Sequence, residues 1–360
     1  MIESPASCAA GRPPSNGVLQ TVNPLTTPTW DSQLACFPDA IAFHTAGWSR
    51  VLHETYGHTP CFLGRYADDR MVACQPLAEV RSPMTGRRGV CLPFSDWCPP
   101  LMQSPDVASD LWDAVLALAR QRGWKYVELR SPGVVPPATR PSVEYIAHVL
   151  DLRPDQAALE AGLDPSVRRA LRKAVASGLQ VEISHDPAAV ADYYRLHCLT
   201  RQRHGLPPQP FRFFDNIARH MLAADQGIVV TALHQGRAVA AAVFLHFGRR
   251  ALYKFGASDA AAQALRPNNL VMWEGIRYYK QREFESLHFG RTSPANDGLR
   301  RFKRHFGAAE QPLPYYRYHL ASEQFVPAPD RAETALNGLF RRLPLAWLRL
   351  VGRCLYPHLS

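Results

Sequence analysis

The stretch from Leu111-Trp112-Asp113 to Leu129-Arg130-Ser131 decides the fold when set beside Met272-Trp273-Glu274 to Gly290-Arg291-Thr292. In both, the Trp, the acidic residue after it and the closing Arg fall 161 positions apart with no gap between them. The hairpin ahead of each copy repeats as well. Arg65-Tyr66-Ala67-Asp68-Asp69-Arg70-Met71-Val72-Ala73 resembles Ala232-Leu233-His234-Gln235-Gly236-Arg237-Ala238-Val239-Ala240. A shared order of hairpin, helix and strand reads as a duplicated unit. It predicts two similar subdomains with a cleft between or beside them.

Outward from this repeat, the pattern stays α/β. Helical spacing runs over 106–123 through Leu111, Val115, Leu118 and Ala119, and Gly123 ends it. A second helix over 267–280 starts on Pro267. Further helices are expected over 43–56, 155–178, 187–204, 211–223 and 297–306. Strands are expected over 61–66, 71–80, 90–92, 125–130 and 145–152 in copy one. In copy two they cover 228–233, 238–247, 251–256, 286–289 and 315–319. Strands that alternate with helices imply α/β layering, and the hairpins make each sheet mixed. The expected domains are a disordered Pro/Ser/Thr-rich tail (1–30), a first subdomain (31–152), a second with a helical linker (153–322) and a C-terminal helix (323–360).

Composition bounds the chemistry. The chain has 360 residues, 46% hydrophobic content and a net charge of +10. That length supports about two domains. The charge fits anionic partners such as phosphates, nucleic acid or an acidic membrane surface; an Arg-rich protein that is simply basic is the plainer account. None of the eight cysteines forms a C-x-x-C pair, and the 14 histidines contain no H-E-x-x-H. Neither a disulfide framework nor a metal site is expected, and a reducing cytoplasm fits. No window of 18 apolar residues predicts a transmembrane helix.

The segment 253–307 carries the most specific pattern. It reads Tyr253-Lys254-Phe255-Gly256-Ala257-Ser258, Arg266-Pro267-Asn268-Asn269-Leu270, Phe289-Gly290-Arg291-Thr292, and Leu299-Arg300-Arg301-Phe302-Lys303-Arg304-His305-Phe306-Gly307. Copy one adds Leu92-Pro93-Phe94-Ser95-Asp96 and Leu129-Arg130-Ser131-Pro132. Together these resemble the FemAB-like branch of the GNAT acyltransferase superfamily over roughly residues 35–320. Within it the chain looks most like the exopolysaccharide-associated type. The resemblance implies tandem GNAT-like subdomains, each a mixed sheet with flanking helices. It implies transfer of an acyl or aminoacyl group to an amine of a cell-envelope or exopolysaccharide precursor. Acyl-CoA or aminoacyl-tRNA would be the donor, without a metal. The different-class alternative is a non-catalytic protein of this fold that recruits polysaccharide-export machinery at the membrane.

The residues can also be read on their own. A helix that begins at Pro267 turns its free N–H groups and positive dipole end toward Arg266, Asn268 and Asn269, a ready anion site. The Gly-rich loop of GNAT enzymes is absent there, which puts coenzyme A in question. Arg300 shares a helix face with Lys303, and Lys303 is a candidate for holding phosphate or an oxyanion. Read as a surface ammonium, Lys303 is expected to be removable at a cost within about 0.5 kcal/mol. Arg201 and Arg203 precede a sharp break at Gly205 and are further phosphate candidates; helix-end charge is the plainer account. Tyr253 is a candidate acid for the leaving group, and Arg291 completes the candidate catalytic set. Asp96, Glu128 and Glu274 are the candidate bases. The acceptor is expected to bear phosphate and to be lipid-linked in some cases, with tRNA as a third class of partner.

The C-terminal tail is basic. Residues 339–360 hold four Arg and no acidic residue. On one continuous helix Arg342, Arg349 and Arg353 lie opposite Trp347, Leu350 and Val351. Two readings stand: a helix on the inner face of the membrane, or one docked on the core with Trp347 buried.

Overall fold

The computed structural model describes residues 18–328 and 337–359. The first half contains β1 (Val18–Val22), α1 (Trp30–Leu34), α2 (Ala46–Tyr56), β2 (Thr59–Pro60), β3 (Phe62–Ala67), β4 (Arg70–Gln75), β5 (Ala78–Ser82), β6 (Gly86–Val90), β7 (Leu101–Met102), α3 (Ala108–Arg122), β8 (Tyr126–Leu129) and β9 (Val143–Asp151). The second contains α4 (Gln156–Ala161), α5 (Pro165–Ala176), β10 (Gln180–Ser184), α6 (Pro187–Arg203), α7 (Phe211–Ile217), β11 (Gly227–His234), β12 (Arg237–Phe247), β13 (Arg250–Ser258), α8 (Pro267–Gln281), β14 (Ser286–Thr292), α9 (Asp297–Arg304), β15 (Ala309–His319) and β16 (Gln324–Phe325). Then come α10 (Asn337–Arg342) and α11 (Leu345–Leu355).

The repeat falls on equivalent units. Strand β6 runs through α3 to β8, which pairs with it in parallel. Strand β13 runs through α8 to β14, again in parallel. Trp112 and Trp273 sit on these two crossover helices and both are buried. Each hairpin ahead of them turns on two residues of positive φ, Asp68 and Asp69 in one, Gln235 and Gly236 in the other. That backbone matches the twist of paired strands.

One feature of the sheet is absent from a simple duplication. The strand order is β10-β11-β12-β13-β14-β9-β15-β8-β6-β5-β2. Thus β9, the last strand of the first copy, pairs antiparallel with β14 of the second. Strand β15 of the second copy pairs with β8 of the first. The two exchanged strands pair with each other in the middle. Strands β1, β3, β4 and β7 form a separate small sheet. The core is shared too: Trp48 of α2 packs edge-on against Phe213 of α7, at 5.9 Å between centroids.

Several expectations need correction. Residues 18–30 do not belong to a disordered tail: they form β1, a short turn of helix at Pro24–Thr26 and the start of α1, with Trp30 fully buried. Residues 1–17 lie outside the described residues. The expected strand over 71–80 is two strands in different sheets, broken at Pro76-Leu77. The linker over 155–178 is two helices, α4 and α5. Strand β15 begins at Ala309, not Tyr315. Pro312 and Pro314 share one parity, so their missing N–H groups fall on a single edge, and β8 pairs only from Tyr316 onward. The tail is not one continuous helix. It breaks at Leu343-Pro344, and Pro344 becomes the N-cap of α11. Of its expected span 323–360, Gln324–Phe325 is instead strand β16, and residues 329–336 lie outside the described residues. No helix among the described residues is long and apolar enough to cross a membrane.

The exchange generates a test. Residues 18–152 and 153–359, produced separately, should each fail to give a native near-UV dichroism spectrum. Each half has lost the strand that covers its sheet edge. Produced together, they should elute as a folded heterodimer on size exclusion.

Candidate functional site

Two β-bulges face each other where the halves meet. In β13, Val243 opposes Phe255 and Phe244 opposes Tyr253, so Lys254 is the extra residue. In β14, His288 opposes Val149 and Arg291 opposes Ala147, so one residue of Phe289-Gly290 is extra. Gly290 takes φ of 72°, a left-handed conformation that suits glycine. Pairing between β13 and β14 covers only Arg250–Leu252 against Ser286–His288. Beyond that point the bulges bend the strands apart and leave β13 unpaired on this side.

Charged side chains fill the wedge. Asp96, from the loop after β6, accepts a 2.8 Å hydrogen bond from Lys254 Nζ. The side chains are 18% and 6% exposed, so this is a largely buried pair. A Cβ at Gly290 would stand 3.2 Å from Asp96 Oδ2, so the carboxylate lies against the bulge. Burial pushes the Asp96 carboxyl up, but Lys254 and Arg291 outweigh it and hold it below the usual carboxylate range. Burial lowers Lys254, and Asp96 opposes that. His288 is driven down to about 4 by burial. It is neutral, and its Nδ1 accepts from the Gly290 N–H at 2.9 Å. Trp97 stacks on its ring at 5.5 Å.

Lys303 is not a surface ammonium. It is 3% exposed. Its Nζ donates to Gly290 O (3.1 Å), Arg291 O (3.3 Å) and Thr292 Oγ1 (2.8 Å). Alpha-9 thus pins the bulged end of β14 through one cation. Burial lowers the Lys303 pKa to about 8, with Asp96 raising and the Lys254 charge lowering it. Arg291 is exposed, with its guanidinium 4.5 Å from the centroid of the Tyr145 ring on β9 and 5.3 Å from that of Tyr315 on β15. It therefore spans both exchanged strands.

Beside the diverging end of β13 lies a pocket of about 250 Å³. Its walls include Arg203 and His204 at the end of α6, Tyr253, Gly256 and Ser258 of β13, Asn268 of α8 and Phe302 of α9. Asn268 donates to Ser258 Oγ at 3.1 Å, tying the start of α8 to β13. Burial raises the Tyr253 hydroxyl to about 12, so it keeps its proton at neutral pH. A Cβ at Gly256 would lie 1.8 Å from that hydroxyl oxygen, so only glycine leaves room for it. Arg266 caps α8 in a left-handed conformation with φ of 64°. Arg266 and Asn269 do not line the pocket.

Two other guanidiniums proposed for phosphate are committed elsewhere. Arg201 donates to Pro207 O at 3.2 Å and to Tyr356 Oη at 2.8 Å, which anchors the tail. Arg300 pairs with Glu310 at 3.0 Å and also reaches Asp297. Of the candidate bases, Glu128 is clamped between Arg130 (3.1 Å) and Arg317 (2.7 Å). Glu274 pairs with Arg277 at 3.0 Å. Asp96 is held by Lys254. Sequence reasoning missed Lys254 and His288. The signal for Lys254 was present: a lysine between Tyr253 and Phe255 breaks the apolar run of a central strand.

Residues 165–304 match a family model described as an acetyltransferase (GNAT) domain. A search of curated proteins finds no match. Among solved structures, FemX is similar at a TM-score of 0.67 and 12% identity, over 85% of this chain and 98% of that one. L-PGS from Bacillus licheniformis is similar at 0.55 and 12%, over 92% and 98%. A tandem GNAT protein from the clavulanic acid biosynthesis pathway gives 0.51 and 12%, over 85% and 99%. At this identity the likeness is one of fold.

Lys303 supplies the test of the site's construction. Lys303→Ala should cost roughly 1–3 kcal/mol in chemical denaturation, because it strands the Gly290 and Arg291 carbonyls and the Thr292 hydroxyl. The pH dependence has a defined sign. The folded pKa of about 8 lies below the ordinary 10.5, so the unfolded state binds more protons between those values. The stability of wild type relative to Lys303→Met should therefore rise as pH goes from about 8 to 10.5, and stay flat below.

Proposed function

We propose, from a GNAT acyltransferase domain over residues 165–304 and a tandem GNAT fold of FemAB-like type across the chain, that this protein transfers an acyl or aminoacyl group to the amine of a cell-envelope or exopolysaccharide precursor. The observation that carries the reading is the divergence of β13 from β14. It leaves β13 unpaired beside a pocket at the start of α8. An unpaired strand edge offers N–H groups to an extended donor and to the carbonyl oxygen as it gains charge. The donor is an acyl-CoA or an aminoacyl-tRNA. Its phosphates lie toward the N-terminus of α8, with Arg203 and Asn268 beside them.

In this reading the acceptor nitrogen attacks the donor carbonyl carbon. The C–S bond of a thioester, or the C–O bond of an aminoacyl ester, breaks. Tyr253 gives its proton to the leaving sulfur or oxygen and regains one from solvent. The three candidate carboxylates are all paired with cations, so none is free to serve as base. The amine therefore arrives neutral, and its surplus proton passes to solvent after attack. Lys303 and Arg291 hold the bulged end of β14 on which this geometry rests. The protein works at the inner surface of the membrane, where a phosphate-bearing, lipid-linked acceptor would be met. The engagement of every candidate base also favours a second reading, a binding protein of the same fold that recruits export machinery. Turnover separates the two.

Two outcomes are expected from a panel of acyl-CoA and aminoacyl-tRNA donors with amine acceptors. One donor class should turn over, and kcat/KM should rise with pH up to the pKa of the acceptor amine. Tyr253→Phe should lower kcat by about 10²–10⁴-fold, the usual contribution of a positioned acid. No turnover with any donor, together with unchanged melting temperature, would favour the binding protein.

A further inference from the structure

The C-terminal helix docks on one face and leaves another open. Leu348 is fully buried and Gly352 presses on Pro207-Pro208. A Cβ at 352 would lie 2.0 Å from Pro208 O. Tyr356 Oη closes the contact through Arg201 and Pro207 O. On the open side Trp347 is 60% exposed and Leu350 49%. Phe211, at the start of α7, is 44% exposed. Exposed apolar side chains gathered on one surface and rimmed by polar residues mark a site of interaction.

Beside them lies a groove of about 620 Å³ between α11 and α7. Phe211 and Leu350 line it together with Arg212, Arg349 and Arg353, and no Asp or Glu does. The Arg349 guanidinium lies over the Tyr194 ring at 5.4 Å, which fixes its position. None of these three arginines has a carboxylate within salt-bridge distance among the described residues. On α11, Trp347 and Leu350 are three apart, and Arg349 and Arg353 four apart, so the helix carries adjacent apolar and basic rows.

We propose that this groove seats the phosphate headgroup of an anionic membrane lipid, with Trp347, Leu350 and Phe211 entering the bilayer interface. Charge complementarity selects the occupant: a single-sign cationic groove bordered by apolar side chains fits a headgroup above its acyl chains. The helix lies along the surface. Its 11 residues span about 16 Å, well short of a hydrocarbon core about 30 Å thick. This rests on the membrane-surface part of the proposed function and adds a defined site to it. The site lies apart from the pocket at α8, so loss of one need not affect the other.

The test is co-sedimentation of the full chain with vesicles of phosphatidylcholine alone, and with about one-third phosphatidylglycerol. Binding is expected only to the anionic vesicles, falling as salt is raised. Arg212→Glu/Arg353→Glu should lower affinity by about thirtyfold or more, taking a few-fold for each basic residue. Trp347→Ala should weaken binding with the charges intact. Both variants should keep the wild-type melting temperature and turnover of a soluble acceptor. Equal binding to both vesicle types, or charge-reversed protein that binds like wild type, would overturn the proposal. So would displacement by inorganic phosphate with no effect of Trp347→Ala, which would mark a free-phosphate site. Lost turnover with vesicle binding intact would strike the acyl-transfer reading and leave this one standing.

Discussion

Everything at the centre of this molecule depends on the exchange of β9 and β15. Each half would otherwise end its sheet on an open edge, β8 in one and β14 in the other. The exchanged strands cover both edges and pair with each other over Ala309–Tyr315. The consequence for the site is direct. The bulge at Phe289-Gly290 can exist only because β9 supplies a ladder on the far side of β14, against which one residue is extra. A bulge without a partner strand is only a loop. The exchange also makes the defining contacts non-local, which sets the entropy that folding must overcome before they form.

On that frame the electrostatics are unusual for a protein centre. Two ammonium groups, Lys254 and Lys303, and the Arg291 guanidinium surround one carboxylate, Asp96. Buried ion pairs contribute little net stability, since desolvation offsets their attraction. Their value here is positional. Lys254 holds the Asp96 loop of one half in the wedge of the other, and Lys303 ties three groups of β14 to α9. The cations outnumber the carboxylate, so the junction is positive while all are charged. Burial is the main reason Lys303 sheds its proton more readily than an ordinary lysine, and the Lys254 charge adds to it against the pull of Asp96.

The architecture was legible in the sequence for a physical reason. A strand-helix-strand unit leaves its period in the apolar pattern, and the Trp112/Trp273 repeat marks both copies. Of the candidates in the 253–307 pattern, Tyr253 and Asn268 share a pocket, and Arg203 from α6 lines it too. What could not be read was partnership. Lys303 in a run of basic residues looks like a solvated face, yet its α9 neighbours Arg300 and Arg304 are the exposed or ion-paired ones while it points inward. Arg201 and Arg203 are two residues apart and differ entirely: one grips Tyr356, the other lines the pocket. Strand exchange was equally invisible, because a strand's pattern records that it is buried and not which sheet it joins. The prolines of β15 concealed half of that strand for a related reason, since their effect depends on which edge their missing N–H groups face.

The same lesson changes what a net charge of +10 means for this chain. Many of its cations do structural work. Arg88 donates to the backbone of His358, Arg130 and Arg317 neutralise Glu128, Arg201 anchors the tail, and Arg300 lowers Glu310 to about 2 through its hydrogen bonds. Among the cations with no carboxylate within salt-bridge distance, a few line cavities. Arg203 faces the pocket at α8, and Arg212, Arg349 and Arg353 face the groove under the tail. Unpaired positive charge that lines a cavity therefore stands at two places, one beside the strand that diverges and one beside the exposed Trp347. An enzyme that takes a phosphate-bearing donor at the first and rests on an anionic surface at the second would use both, and the distribution gives each a separate physical task.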